Sequence, residues 1–417
     1  MIDLRNGDCI EQMRQLPANS VDSIVTDPPY ELGFMGKSWD STGIAYSVKM
    51  WDEALRVLKP GGHLLAFSGS RTYHRMAVAI EDAGFEIRDQ IMWVYGSGFP
   101  KSMDVSKAID KQAGAEREVI KTGFAYGISV GQQEQGYRPS DYESKQLSNI
   151  PITDKAKQWA GWGTALKPAH EPIVLARKPL IGTVATNVII HGTGALNIDG
   201  SRVGNDGGTF KASKPEGTSN GIYGEGINGT VDIGKLNAGR WPANFIHDGS
   251  DEVVELFPDT KTGSIKPHIN DAKTEYRQHH SGQITGSHLG DSGSAARFFY
   301  CAKASKKDRN EGLDGFVEKR PDDRSETGMG TFTEKGVAKQ SNHHPTVKPT
   351  ELMRYLVRLV TPPEGTVLDP FMGSGSTGKA AVLESFNFIG IDQSADYLQI
   401  ATARIKHAQD QVEGMLL

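Results

Sequence analysis

The sequence predicts an α/β fold, a mostly parallel sheet covered by helices and interrupted by a long irregular insertion. Two observations predict the sheet: strand and helix signals alternate at short spacing near the N-terminus, and they do so again in the C-terminal residues 342–417. A third predicts the insertion, since the pattern degrades between residues 182 and 341, where Gly182 to His247 alone holds 14 glycines in 66 residues.

Ser23 to Thr26 (SIVT) reads as a short strand that runs into Asp27, Pro28, Pro29 and Tyr30, where two prolines stop it. Tyr46 to Leu58 carries Val48, Trp51, Leu55 and Leu58 at helical spacing and closes on Lys59, Pro60, Gly61 and Gly62. HLLAFSG follows as a buried strand, Tyr73 to Ala83 as a helix stopped at Gly84, and Ile87 to Tyr95 as a strand. In the middle region, phrases such as NVIIHGTGALNIDG and GRWPANFIHDG break off before a helix can form, and the stretches 204–234 and 263–294 read as polar loops. Leu352, Leu356, Leu359 and Val360 then stripe one helical face, with Thr350 as the cap and Pro362 and Pro363 as the stop. Thr366 to Leu368 reads as a strand, Gly373 to Gly378 as a turn opening a helix, and Phe388 to Ile391 as the next strand. A final helix covers Tyr397 to about Gln411.

A chain of 417 residues with 37% hydrophobic composition can bury a large core as two or three domains, or as one domain with insertions. Its 48 glycines follow no Gly-x-y period, which excludes collagen and points to loops and ligand-binding turns. The net charge of −5 excludes a globally basic nucleic-acid binder but leaves room for a local basic groove. Two cysteines, Cys9 and Cys301, exclude a disulfide framework, and the spacings of His268, His279, His280, His288, His343 and His344 fit no standard metal site. No signal segment and no long apolar stretch is visible, so a cytoplasmic chain without membrane or metal is expected.

The chemistry begins at Asp27-Pro28-Pro29-Tyr30, at the carboxyl end of a strand, where α/β sheets carry their ligands. Two prolines fix the carboxylate and hold a carbonyl outward beside an aromatic face. That acceptor pair suits a planar ring bearing an amino group; the plainer alternative is a tight turn whose Asp caps the next element.

The second constellation is VLDPFMGSGSTGKAA. A P-loop would need a hydroxyl where Ala380 stands. Gly373, Gly375 and Gly378 satisfy G-x-G-x-x-G, and Asp392, 19 residues after Gly373, is placed to bind a ribose. Asp369 would repel a pyrophosphate but tolerate a cationic or zwitterionic nucleoside such as S-adenosylmethionine. A structural glycine turn and an NAD-dependent oxidoreductase are the alternatives.

Together these motifs resemble the DNA amino-methyltransferases, which methylate N6 of adenine or N4 of cytosine, in the circularly permuted arrangement with the catalytic motif before the cofactor motif. Asp27 to Tyr30 is similar to the catalytic tetrapeptide, and Asp369-Pro370-Phe371-Met372-Gly373-Ser374-Gly375 to the cofactor loop. Asn342-His343-His344-Pro345-Thr346-Val347-Lys348-Pro349 resembles the segment preceding that loop. Asn6-Gly7-Asp8-Cys9 resembles the segment near the cofactor adenine, Gly390-Ile391-Asp392 the ribose-binding acid, and His170-Glu171-Pro172-Ile173 the strand closing the catalytic half.

The resemblance implies a Rossmann-like methyltransferase sheet with one antiparallel strand: residues 1–181 as the catalytic half, 182–341 as the target-recognition region, 342–417 as the cofactor half. It implies S-adenosyl-L-methionine bound through Asp8, Cys9, Asp27, Thr346, Lys348, Asp369, Phe371, Gly373, Ser374, Gly375 and Asp392, and catalysis by Asp27, Pro28, Pro29 and Tyr30. The partner is double-stranded DNA, bound by a monomer or homodimer in a restriction–modification setting. In the family, Asp opening the tetrapeptide goes mostly with adenine N6 and Ser mostly with cytosine N4, so Asp27 favours adenine. A non-catalytic nucleic-acid-binding protein is the reading that intact acidic residues oppose.

Physically, hydrogen bonds from the amino protons to Asp27 and the Pro28 carbonyl would draw the nitrogen toward tetrahedral geometry as it attacks, with Tyr30 stacked on a flipped base. Glu31 to Asp40 is the candidate loop over that base, with an anchored surface loop as the plainer reading. Trp159-Ala160-Gly161-Trp162-Gly163 reads either as a DNA contact or as a core plug. Between Arg297 and Lys348, 11 Lys and Arg face 8 Asp and Glu; Lys303, Lys306, Lys307 and Arg309 are the candidate phosphate contacts, with a solvated helix end as the alternative.

Overall fold

A computed structural model describes residues 1–32, 38–98, 102–122, 144–204, 209–212, 231–235, 239–261, 292–302, 306–319 and 341–415. They fall into two compact units, the smaller built around Ser97–Ala169 and the larger holding Met1–Gly96 and the described residues after Ala169. The smaller unit therefore lies inside the span that the sequence assigns to the catalytic half. Among the described residues no helix is long and apolar enough to cross a membrane.

The larger unit is a Rossmann-like sheet. Its strands are β1 (Ile2–Asn6), β2 (Val21–Thr26), β3 (Leu58–Phe67), β4 (Glu86–Val94), β5 (His170–Arg177), β6 (Phe245–His247), β7 (Tyr300–Cys301), β8 (Thr366–Asp369) and β9 (Asn387–Asp392). They lie in the order β1-β9-β8-β2-β3-β5-β4-β6-β7, and β5 runs antiparallel to both its neighbours while the other pairs are parallel.

The main helices of the larger unit are α1 (Cys9–Arg14), α2 (Val48–Val57), α3 (Tyr73–Asp82), α4 (Val184–His191), α5 (Lys306–Asn310), α6 (Thr350–Val360), α7 (Ser376–Leu383) and α8 (Ala395–Met415). Alternation along the strands sorts side chains to two buried faces. Ile24, Leu64, Ala66 and Val174 meet Met13 of α1, Trp51 of α2 and Ile80 of α3. Val25, Leu65, Phe67 and Ile173 meet Leu356 of α6, Ala381 of α7 and Ile405 of α8.

Two sequence expectations need correction. The turn expected at Lys59–Gly62 is a bulge inside β3: Val21 pairs with Leu58 and Ser23 with His63, so α2 passes directly into the strand. Gly61 takes φ +77 there and its N–H donates to the Lys178 carbonyl. The phrase NVIIHGTG does contain a helix end, for α4 is capped by the Thr183 hydroxyl and by Gly192 at φ +76. Eight residues give too little periodicity to register as a helix. GRWPANFIHDG forms no helix, as expected; its FIH is β6, which extends the sheet beyond β4, and β7 follows it.

The smaller unit pairs a helix at Val105–Gln112 with one at Asp154–Gln158 and a hairpin of Val119–Thr122 against Ser144–Leu147. The Arg117 guanidinium donates to the buried Asp110 carboxylate at 2.6 Å, and the N–H groups of Ile152 and Thr153 donate to the same side chain. Trp159 and Trp162 meet edge to face at 5.0 Å and are 38% and 60% exposed, so neither plugs a core.

The topology explains where the site falls. β8 and β2 are adjacent parallel strands, and their connections leave toward opposite edges of the sheet, a switch point whose carboxyl ends hold Asp369 and Asp27. Because β5 is reversed, its beginning lies at that same edge: Ile173 pairs with Phe67 at the end of β3, and His170 with Val94 at the end of β4.

Candidate active site

Asp27 follows the last residue of β2 and is held by the two prolines after it. Lys348 Nζ donates to Asp27 Oδ2 at 2.6 Å and lies 3.3 Å from Glu171 Oε2. The Tyr30 hydroxyl donates to that same Glu171 oxygen at 2.8 Å, and the Thr72 hydroxyl donates to the Tyr30 carbonyl at 2.8 Å. The ammonium also stands 5.3 Å and 5.0 Å from the ring centroids of Tyr30 and Phe67.

Burial pushes the Asp27 carboxyl above its usual range, against the pull of Lys348. Burial acts to lower Lys348, but Asp27 and Glu171 outweigh it and hold the ammonium above its usual value. The other Asp27 oxygen, Oδ1, is buried and receives no donor among the described residues. A buried charged oxygen left without a donor costs on the order of 1–3 kcal/mol or more, which a ligand N–H would recover.

The second half of the site is the turn after β8. Gly373 and Gly375 adopt φ +53 and +79. The Gly373 N–H donates to Asp392 Oδ2 at 2.8 Å, and the Ser394 N–H donates to Oδ1 at 2.8 Å. A Cβ on Gly373 would stand 2.8 Å from His344 Nε2, so the turn has bare backbone where the chain passes closest. The buried Arg404 guanidinium donates to the Ser374 carbonyl at 2.7 Å, fixing the turn from behind. Lys379 is tied 2.7 Å from both Asp308 and Glu311, which leaves no P-loop lysine for a phosphate.

Asp369 is engaged within the chain. Its oxygens already accept from the hydroxyls of Thr26 and Thr377, each at 2.6 Å, and from the Phe371 N–H at 3.0 Å. Burial pushes its carboxyl up to about 6 against those donors. In this position it ties β2 to the start of the Gly turn.

The remaining residues are distributed around the two halves. Asp8 caps α1, with Oδ1 accepting from the N–H groups of Ile10 and Glu11, while Oδ2 accepts from Gln393 at 3.3 Å. The Cys9 thiol points into the core, where burial pushes it up to about 12. The Thr346 N–H donates to Nδ1 of His344, a half-buried imidazole pushed down to about 3 chiefly by desolvation and therefore neutral. Lys348 reaches Asp27, not the Gly turn.

Lys303 and the side chain of Lys306 lie outside the described residues, as do residues 33–37 of the candidate loop and His268, His279, His280 and His288. The ends of that loop are anchored: the N–H groups of Glu31 and Leu32 donate to the buried Asp40 carboxylate, and the Glu31 carboxylate accepts from the Gly43 N–H. Lys307 is exposed, whereas Arg309 is committed to the carbonyls of Asn342 and His344. Sequence reasoning gives Glu171 no place in the site and omits Arg404. The reversal of β5 brings in the first, and the second carries no local signal.

Residues 21–403 match the N6/N4 methyltransferase family model, DNA methylase. The chain is 26% identical over 242 residues to the Type II methyltransferase M.HindIII of Haemophilus influenzae, covering 47% of this chain and 65% of that protein. It is 42% identical over 77 residues to the Type II methyltransferase M2.DpnII of Streptococcus pneumoniae, covering 18% of this chain and 28% of that protein. The match thus spans less than two thirds of either relative. Among solved structures, PvuII DNA methyltransferase (cytosine-N4-specific) aligns over 99% of this chain and 93% of its own at 13% identity and TM-score 0.43. The M1.HpyAVI–SAM complex aligns over 97% and 99% at 16% identity and TM-score 0.37.

Proposed function

The chain belongs to the N6/N4 DNA methylase family, and from that premise we propose that it methylates N6 of adenine in double-stranded DNA, using S-adenosyl-L-methionine. The observation that carries the proposal is Asp27 Oδ1, a buried acceptor with no donor among the described residues, in the tetrapeptide that also carries Tyr30. One amino proton of the flipped base would fill it, and the Pro28 carbonyl would take the other. Those two acceptors pull the nitrogen toward tetrahedral geometry, an interaction strongest in the transition state. Tyr30, its hydroxyl fixed on Glu171, offers its ring for stacking on the base.

When bound, the cofactor would supply an electrophilic sulfonium methyl: as the methyl passes to the nitrogen the sulfur–methyl bond breaks, the neutral thioether S-adenosylhomocysteine leaves, and the methylated nitrogen sheds one amino proton, ultimately to water. The bare backbone at Gly373 and Gly375 fits its methionine part, Asp392 its ribose hydroxyls, and the segment around Asp8 its adenine. Asp27 is assigned to the cofactor as well as to the base. Residues 182–341 are proposed to read the DNA target, within the circularly permuted arrangement and a restriction–modification setting, and the opening Asp of the tetrapeptide favours adenine over cytosine. The direct test is incubation with DNA and methyl-labelled cofactor, digestion to nucleosides and identification of the product. N6-methyladenine is expected; N4-methylcytosine would move the base assignment, and no labelled nucleoside would overturn the proposal.

Asp392→Ala should weaken cofactor binding at least tenfold, about 1.4 kcal/mol, because it removes the ribose acceptor and frees the Gly373 N–H. Calorimetric titration of a folded D392A protein checks this, and unchanged affinity takes Asp392 out of the site. For DNA, Lys307→Ala should lower the slope of log affinity against log salt by roughly 1 with no change of preferred sequence. Arg309→Ala, which removes contacts to two backbone carbonyls, should instead lower thermal stability. An unchanged salt slope in K307A would place Lys307 on a solvated surface.

A further inference from the structure

We propose that Glu171 is a positioning residue for methyl transfer: by sharing Lys348 with Asp27 and fixing the Tyr30 hydroxyl, it keeps the base-facing oxygen of Asp27 available to a nitrogen that is becoming positive. The inference rests on the methyl-transfer reading and deepens it.

The geometry is a cluster of two carboxylates around one ammonium. Lys348 Nζ is 2.6 Å from Asp27 Oδ2 and 3.3 Å from Glu171 Oε2, and the Tyr30 hydroxyl donates to the same Glu171 oxygen at 2.8 Å. Glu171 reaches this edge because β5 is reversed, and it pairs across the sheet with Trp93. With both carboxylates ionised, the cluster carries one surplus negative charge. A neutral amino group gains little from that surplus, whereas the cationic nitrogen formed on methylation gains much more, so the surplus acts mainly in the transition state. Without the Glu171 charge, Lys348 neutralises Asp27 alone and the surplus is gone.

Among the described residues, the other titratable groups around the cluster of Asp27, Lys348 and Glu171 are few. Tyr30 is held in its neutral phenol form by burial, and burial likewise pushes Tyr95, after β4, up to about 12. Asp369, at the end of β8, is tied up by Thr26, Thr377 and Phe371. His344 is neutral. Glu171 is therefore the acid whose removal changes the balance between Lys348 and Asp27 most directly.

Glu171→Gln keeps the size and an acceptor for Tyr30 but removes the charge. Single-turnover methylation by wild type and E171Q should be followed across pH, together with dissociation constants for DNA and S-adenosylmethionine. The rate is expected to fall roughly 10- to 100-fold, less than for loss of a direct contact, with both affinities retained. The acid limb of the rate profile should also move to lower pH, because removing a neighbouring negative charge lets Asp27 stay ionised further into acid. Glu171→Asp, which restores the charge, should recover part of the rate. An unchanged E171Q rate, a fall accompanied by lost affinity and an unmoved acid limb, or an E171D protein no faster than E171Q each overturns the inference. A wild-type chain that methylates nothing overturns the function and this inference together, whereas an active wild type with an unmoved E171Q overturns this inference alone.

Discussion

Asp27→Asn is expected to slow single-turnover methyl transfer roughly 100- to 1000-fold, the 3–4 kcal/mol that one preorganised transition-state contact is worth. Lys348 can only donate, so the amide oxygen of the variant turns toward it, and the amide NH2 then faces the position where Oδ1 stood. A donor there meets the amino protons of the base, and the charge that balances the attacking nitrogen is lost. The fold should survive, because Lys348 keeps Glu171 as its partner. DNA affinity should change little, since phosphate contacts elsewhere supply most of it. The measurement is the single-turnover rate of D27N beside its dissociation constants for DNA and cofactor. Near wild-type turnover would eliminate Asp27 as a catalytic residue, and loss of both affinities with the rate would give it a role only in folding the strand end.

Why Asp27 was legible in the sequence, and Glu171 was not, follows from the forces involved. β2, β3, β8 and β9 are buried on both faces, so they read as apolar runs cut by prolines and glycines, and the residues at their carboxyl ends stand out. β6 and β7, of three and two residues, are too short for any period to register. Pairing across the chain leaves no local trace: the hydroxyl of Thr26 on Asp369, and the ammonium of Lys348 between Asp27 and Glu171, join residues far apart in sequence. The same limit hides from the sequence the donors that Asp369 already holds. A carboxylate's vacancy depends on which donors the fold brings to it, and here Thr26, Thr377 and Phe371 arrive first.

Gly375→Ala is expected to cost about 2–5 kcal/mol of stability and to weaken cofactor binding. Gly375 precedes α7 at φ +79 and ψ 25, where an L side chain costs about 1–2 kcal/mol. An added Cβ would also stand 2.9 Å from both Cα and Cβ of Ala401 and 3.3 Å from Ile405 Cδ1. The first of these is helix backbone and cannot swing aside as a long side chain would. α8 is further fixed by Arg404, whose guanidinium donates to the Ser374 carbonyl at 2.7 Å and to the Asp308 carbonyl at 3.3 Å. Overpacking of this kind adds about 1–3 kcal/mol, and relief must come from the turn, which carries the Gly373 N–H away from Asp392. Gly43→Ala separates the two costs, for Gly43 has a similar φ of +75 but nothing within 4 Å of an added Cβ. Urea unfolding should show G43A losing about 1–2 kcal/mol with cofactor affinity unchanged, and G375A losing more in both. Equal losses in the two variants would mean that α8 yields to the methyl group and that the turn is not held rigidly from behind.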